Sequence, residues 1–342
     1  MENYNFGIIG NCTSAALVSA DASIDWLCLP FFDSSSLFAR ILDKDKGGYF
    51  KITGVNTKKI TQAYLSNTAI LKTVVETEDG VFEIRDYMPR FKQNQNEYYC
   101  PSEIHRDIMV ISGSPKVIIE LDARPNYALG EGRYIMSDQY LKIISTAGIY
   151  NSFYLYTNLD REKIVRREPI TLTRTTSYML LSYHEKIGGV DENRVYIEYE
   201  KTKSYWLDWC YRTQVPVQYR AMVLRSIITL KLLMFQRTGA VIAAPTTSLP
   251  ETIGTPRTWD YQYCWVRDAS MIIDLYARLG HGRSSFRYIN FILNRMLLKH
   301  ENISVMYGIN GERDLDEQQL EHLRGYMDSK PVRIGNNAHA QV

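Results

Sequence analysis

The feature that most constrains this chain is a change of hydrophobic period near residue 200 of its 342 residues. Before that point residues 6–10, 15–19, 69–77, 116–121 and 177–183 are short apolar runs, and the later ones are rich in β-branched and aromatic side chains. They recur between turn clusters such as 78–80 and 187–189, which is the pattern of strands. Many strands in succession without helices between them predict an antiparallel β-sandwich. Beyond residue 200 the spacing becomes helical: residues 204–210 read as a short linker helix, and Val223, Ile227, Leu230 and Met234 fall three or four apart within 217–237. Thr238 and Gly239 stop that helix, and 268–279 and 283–300 repeat its spacing across short connections. The chain therefore divides into a β-domain over 1–203, a linker helix over 204–214 and a helical domain over 215–342.

Charge excludes several partners. Lys and Arg total 40 against 38 Asp and Glu, a net charge of +2, and the Lys58-Lys59 and Arg166-Arg167 doublets are too small to attract nucleic acid or an anionic membrane. The cysteines at 12, 28, 100, 210 and 264 form no CxxC pair and are odd in number, which points to a reduced, cytoplasmic location. The chain opens without a secretory signal, and no apolar run approaches the roughly 20 residues of a membrane span. His281, His300 and His322 lack the i,i+4 partner of a helical metal site, and there is no GxGxxG or P-loop pattern, so neither metal nor cofactor is expected. Ser248 and Cys264 have no identifiable base beside them and read as structural.

One segment is unusually dense in chemistry. Trp259, Tyr261, Tyr263 and Trp265 are followed at once by Arg267 and Asp268. Aromatic faces pack against the C–H side of a pyranose, Arg offers a planar fork of donors and Asp offers acceptors, so together they can hold a hydroxyl-dense ring. The plainer alternative is that the aromatics fill a helix start, with Arg267-Asp268 as a solvated pair in its first turn.

The run from Ala243 through Glu251 and then Trp259-Asp260-Tyr261-Gln262-Tyr263-Cys264-Trp265-Val266-Arg267-Asp268 resembles the signature of glycoside hydrolase family 15, the glucoamylases and their prokaryotic trehalase-like relatives. Ile9-Gly10-Asn11-Cys12, the stretch 23–30 and Pro331-Val332-Arg333-Ile334-Gly335-Asn336 are similar to the prokaryotic branch. The resemblance implies that the helical part begins an (α/α)6 barrel, of which this chain supplies the first three or four helices and is truncated. It implies a carbohydrate substrate, with Tyr261 and Trp265 packing beside the non-reducing glucose and Arg267 and Asp268 binding its distal hydroxyls. Arg333 falls in a loop resembling a region near the aglycone subsite, or else bonds helix-end carbonyls. The family usually has Gly at the position of Ala22, so this turn is expected to be strained.

Inverting hydrolysis needs a general acid and a general base about 6.5–9.5 Å apart. Glu251, Asp260, Asp268, Glu312, Asp314 and Glu317 are the carboxylates near the expected rim, and none stands in the family's acid or base context. No catalytic residue is therefore assigned here; both are expected beyond Val342. The resemblance implies an inverting hydrolase of α-glucosidic bonds, in trehalose or α-1,4-glucans, of which this chain is an incomplete part. The alternative is a non-catalytic carbohydrate-binding or scaffold protein made from a truncated glycosidase.

Overall fold

The computed structural model describes residues 5–95, 97–299 and 303–340; the first four residues, His300 and Val342 lie outside them. Two antiparallel sheets dominate the first half. In the first, Phe6–Gly10, Ala15–Ser19, Ser23–Cys28, Tyr49–Gly54, Lys116–Asp122 and Ile170–Thr171 lie side by side in that order, with Ser36–Phe38 paired to Ser23–Cys28. The second runs Gly132–Met136, Leu141–Ser145, Ser152–Thr157, Thr176–Tyr183, Glu103–Gly113, Gly80–Tyr87, Leu71–Thr77 and Thr57–Tyr64. Strict alternation of buried and half-buried residues, as along Leu71–Thr77 and Tyr49–Gly54, sends every second side chain inward. One core results, shared by Ile24, Phe50 and Ile119 of the first sheet and Phe82, Ile104 and Leu181 of the second.

A buried ion pair crosses that core. Arg106 is fully buried and donates to Asp86 at 2.8 and 3.2 Å within its own sheet. It also donates to the carbonyls of Phe50 and, at 2.7 Å, Ala22 in the other. Ala22 has φ 61° and is fully buried, so the turn where the family carries Gly adopts the left-handed conformation with a methyl group in place. Its carbonyl is thereby aimed at Arg106.

Four longer helices follow: α1 (Glu192–Tyr211), α2 (Arg220–Leu232), α3 (Val266–Arg278) and α4 (Gly282–Lys299). The expected linker helix from Ser204 in fact begins at Glu192, where the Asp191 side chain caps it by accepting from the Arg194 backbone N–H at 2.8 Å. Its first turns cover the outer face of the second sheet, Val195 packing with Tyr154, Tyr156, Tyr178 and Leu180. The helix expected over 217–237 is shorter at both ends. Tyr219 enters it at φ 59°, and Met234 leaves it to bridge Val241.

The sheets and the helices share their cores. Trp206 and Trp209 of α1 pack with Leu224 and Ile228 of α2, Tyr276 of α3 and Phe291 of α4, and Ala15, Phe32 and Ala69 of the sheet region join the same cluster. A third cluster sets Trp26 and Tyr127 against Leu323, Tyr326 and Val332. Among the described residues no helix is long and apolar enough to cross a membrane.

Candidate functional site

The aromatic segment is presented as a stripe. From Thr258 to Trp265 burial alternates without a break: Thr258, Asp260, Gln262 and Cys264 are buried, whereas Trp259, Tyr261, Tyr263 and Trp265 are half-exposed. The inward residues explain the register. Thr258–Asp260 pairs with Thr247–Pro250, and Cys264–Trp265 pairs with Met306–Tyr307. Asp260 accepts from the backbone N–H of Gln262 at 3.0 Å and of Gly335 at 3.1 Å, while Asn336 Nδ2 donates to its carbonyl at 3.0 Å. Gln262 Nε2 donates to the Phe32 carbonyl, and Trp26 Nε1 to that of Pro245 at 2.7 Å. The stripe is thus fastened on one side to the first sheet and on the other to the 333–336 loop.

At its end Tyr261 and Trp265 lie 6.2 Å apart, centroid to centroid, tilted by 49°. Trp265 is the N-cap of α3, so Arg267 and Asp268 fall in the first helical turn, where the helix dipole favours a carboxylate. Arg267 forks onto Asp268 with contacts of 3.1 and 3.3 Å, their side chains 75% and 37% exposed. A pair this open contributes only about 0–1 kcal/mol to stability, so the fold does not depend on it. Its remaining donors and acceptors face solvent, near enough to Tyr261 for both charges to act on its hydroxyl.

Arg333 is placed differently. It is 9% exposed; its Nε donates to Glu317 at 2.8 Å, and its Nη1 donates to the carbonyls of Pro256 and Thr258, each at 2.9 Å, and to Thr258 Oγ1 at 2.7 Å. The guanidinium lies 4.6 Å from the Trp259 ring centroid. The carbonyls it meets belong to the 256–258 strand entrance rather than to a helix end, and it braces the stripe from beneath. The structure brings Tyr261, Trp265, Arg267 and Asp268 together and uses Arg333 to stiffen their support.

The rim carboxylates are mostly occupied. Glu251 pairs with Arg257 at 2.6 Å, Glu317 with Arg333, and Glu312 accepts from the backbone and side chain of Asn310 at 3.0 Å each. Burial pushes Asp260 up to about 7, with Asp33 and Glu317 adding to the effect through their charge. Asp33, which sequence reasoning did not single out, is pushed up to about 6 by burial and by Glu312. A carboxylate directly after the apolar pair Phe31-Phe32 was the available signal.

With this geometry in hand, the chain can be set beside known proteins. Residues 217–342 match the profile of "Glycosyl hydrolases family 15", and residues 4–152 match "Trehalase-like, N-terminal". The chain is 34% identical to a trehalase of Thermoplasma volcanium over 98% of its own length and 54% of that protein. It is 31% identical to a trehalase of Mycolicibacterium smegmatis over 98% of its length and 54% of that protein. The chain spans about half the length of the curated relatives it matches. Its fold superimposes on a bacterial glucoamylase complexed with acarbose with a TM-score of 0.60 at 12% identity, covering 91% of this chain and 52% of that one. Paired antiparallel sheets with appended helices define the class as a glucoamylase-like fold. The chain is similar to glycosyl hydrolase family 15 over residues 217–342 and to the trehalase-like N-terminal region over residues 4–152.

Proposed function

We propose that this chain builds the sugar-holding part of a site that hydrolyses α-glucosidic bonds, in trehalose or α-1,4-glucans, with inversion. The observation that carries this reading is the Arg267–Asp268 pair, left open to solvent beside the Tyr261 and Trp265 rings. The rings would cover the C–H face of a terminal glucose. Arg267 would donate to its hydroxyl oxygens, and Asp268 would accept hydrogen bonds from its hydroxyl groups, fixing the ring so that binding energy orients the bond to be broken. The trehalase names of the relatives and the acarbose bound in the glucoamylase support a glucoside substrate.

In this reading the general acid and base come from the part of the relatives' length that the chain does not span. Met271 and Leu275 on α3 and Phe286, Ile289 and Leu293 on α4 are exposed, and such apolar helix faces suit packing by the further helices of an (α/α)6 barrel. The chain would then be a β-domain through about residue 203, a connecting helix, and the opening helices of that barrel. The test is to purify the 342-residue chain, follow Trp fluorescence on adding glucose or trehalose, and assay glucose release, with Asp268→Ala alongside. Quenching that Asp268→Ala weakens supports the site. Release that disappears in Asp268→Ala would show that an acid and base lie within these residues, with Asp33 the first to examine.

A further inference from the structure

We propose that Glu103, His105 and Glu198 form a binding site for one divalent transition-metal ion of the zinc type, separate from the sugar site. Glu103 and His105 stand two apart on the Glu103–Gly113 strand and so share a face, and Glu198 reaches them from α1. All three are buried, their side chains 3%, 0% and 9% exposed. His105 Nε2 is 3.4 Å from an oxygen of Glu103 and 3.4 Å from Glu198 Oε2, and one ligand atom from each residue lies within 4.8 Å of the others.

Three details point to a cation between these atoms rather than to a direct bond. First, 3.4 Å is long for a charge-assisted N–H···O contact, which closes to about 2.7–2.9 Å. The spacing of His105 from each carboxylate is the edge of a tetrahedron whose corners are about 2.1 Å from its centre, the usual zinc–nitrogen and zinc–oxygen distance, and binding would draw the two carboxylates together from within 4.8 Å. Second, Glu198 Oε2 is buried with no hydrogen-bond partner, although burying a carboxylate oxygen unsatisfied is costly. The other oxygens are provided for: Glu198 Oε1 takes Arg194 at 3.0 Å and Tyr99 at 3.3 Å, and Glu103 Oε1 has Arg194 at 3.7 Å. Third, the Tyr87 hydroxyl donates to the Val195 carbonyl at 3.3 Å and lies 3.1 Å from His105 Nδ1. When Tyr87 gives its proton to Val195, or to the neighbouring Asp107, it accepts from Nδ1–H, and in that tautomer Nε2 presents a lone pair toward the two carboxylates. This is how an outer partner orients a metal-binding imidazole. Imidazole with carboxylate selects zinc or its neighbours over magnesium and calcium. A cavity of about 480 Å³, lined by Tyr99, Arg194 and Glu198 among others, gives an ion a way in.

The ion would pin α1 to the second sheet, so the readouts are affinity and stability. The purified 342-residue chain is stripped with chelator, and Zn(II) is added during calorimetric titration and thermal unfolding. Co(II) is used in parallel to produce ligand-field absorption. One ion per chain, a raised Tm and a visible Co(II) band are expected. Glu198→Gln, which keeps the shape and the Oε1 contacts, should weaken binding by more than tenfold. Wild-type protein whose Tm ignores Zn(II) and which gives no Co(II) band would overturn the proposal, leaving a proton to fill the space between His105 and the two carboxylates. So would zinc binding that Glu198→Gln leaves unchanged, because the ion would then sit elsewhere.

Discussion

At the residue scale, function and support separate by exposure. Asp268 is open, so Asp268→Ala should leave the unfolding midpoint within error while weakening glucose binding. A charge-assisted bond to a hydroxyl contributes about 1.5–3 kcal/mol, roughly a tenfold to hundredfold loss of affinity, readable by fluorescence titration. Asp260 should behave in the opposite way. The folded chain holds its proton up to about pH 7, whereas an unfolded Asp releases it near pH 4. Folding therefore takes up a proton between those values, and this contribution, complete below about pH 4, is lost as pH rises toward 7. Asp33 and Asp107, pushed up by burial to about 6 and about 7, act in the same direction. Urea titrations from pH 4 to 8 should show a shallower decline in Asp260→Asn than in the parent; an equal slope would mean that Asp260 is ionised throughout. The open pair was legible in the sequence because its members are adjacent to each other and to the aromatics. The role of Arg333 was not, because its partners Pro256, Thr258 and Glu317 become neighbours only once the 333–336 loop has docked. Asp33 was passed over for the same reason, its environment being made by Asp260 and Glu312.

At the scale of elements, period alone located the strand runs it named: the alternation that marks Leu71–Thr77 is local, and so are the turn residues that bound it. Sheet order is not local. Lys116–Asp122 lies beside Tyr49–Gly54 across a long excursion, and no spacing in the sequence reports that neighbour. The early start of α1 was recoverable, since Asp191 is a favoured cap residue, but reading 187–189 as a turn between strands carried the β pattern on to about residue 200. Asp191→Ala should cost about 1 kcal/mol. The Arg106–Asp86 pair makes a stronger demand because it is fully buried and holds the guanidinium that reaches the carbonyls of the other sheet. Asp86→Ala strands a buried guanidinium and should lower unfolding free energy by about 3–5 kcal/mol, whereas Arg106→Met combined with Asp86→Leu should cost less. Denaturant midpoints of the single and double variants decide between them; a double variant as damaged as the single would mean that the carbonyl contacts to Ala22 and Phe50 matter more than the pair.

At the scale of the whole molecule, two features pull against a simple division into domains. The connection after α1 is open, with Arg212 and residues 216–222 exposed, so trypsin should cut first at Arg212 or Arg220. Yet Trp206, Phe32 and Ala69 share one core with the later helices. The nicked chain should consequently elute as one species in gel filtration under native conditions and separate only in denaturant; fragments that part without denaturant would disprove a common core. The uncovered apolar faces of α3 and α4 should also drive association at high protein concentration, and Phe286→Glu should reduce it in sedimentation runs. The shared cores have a hereditary consequence as well. A recombination event that joined this sheet region to the helices of an unrelated gene would break the Trp206 and Trp26 clusters and leave the Phe32 carbonyl without Gln262. The two regions therefore tend to descend as one unit, and substitutions at Phe32 and Phe235, whose rings pack edge to face although they lie far apart in the gene, should be inherited as compensating pairs.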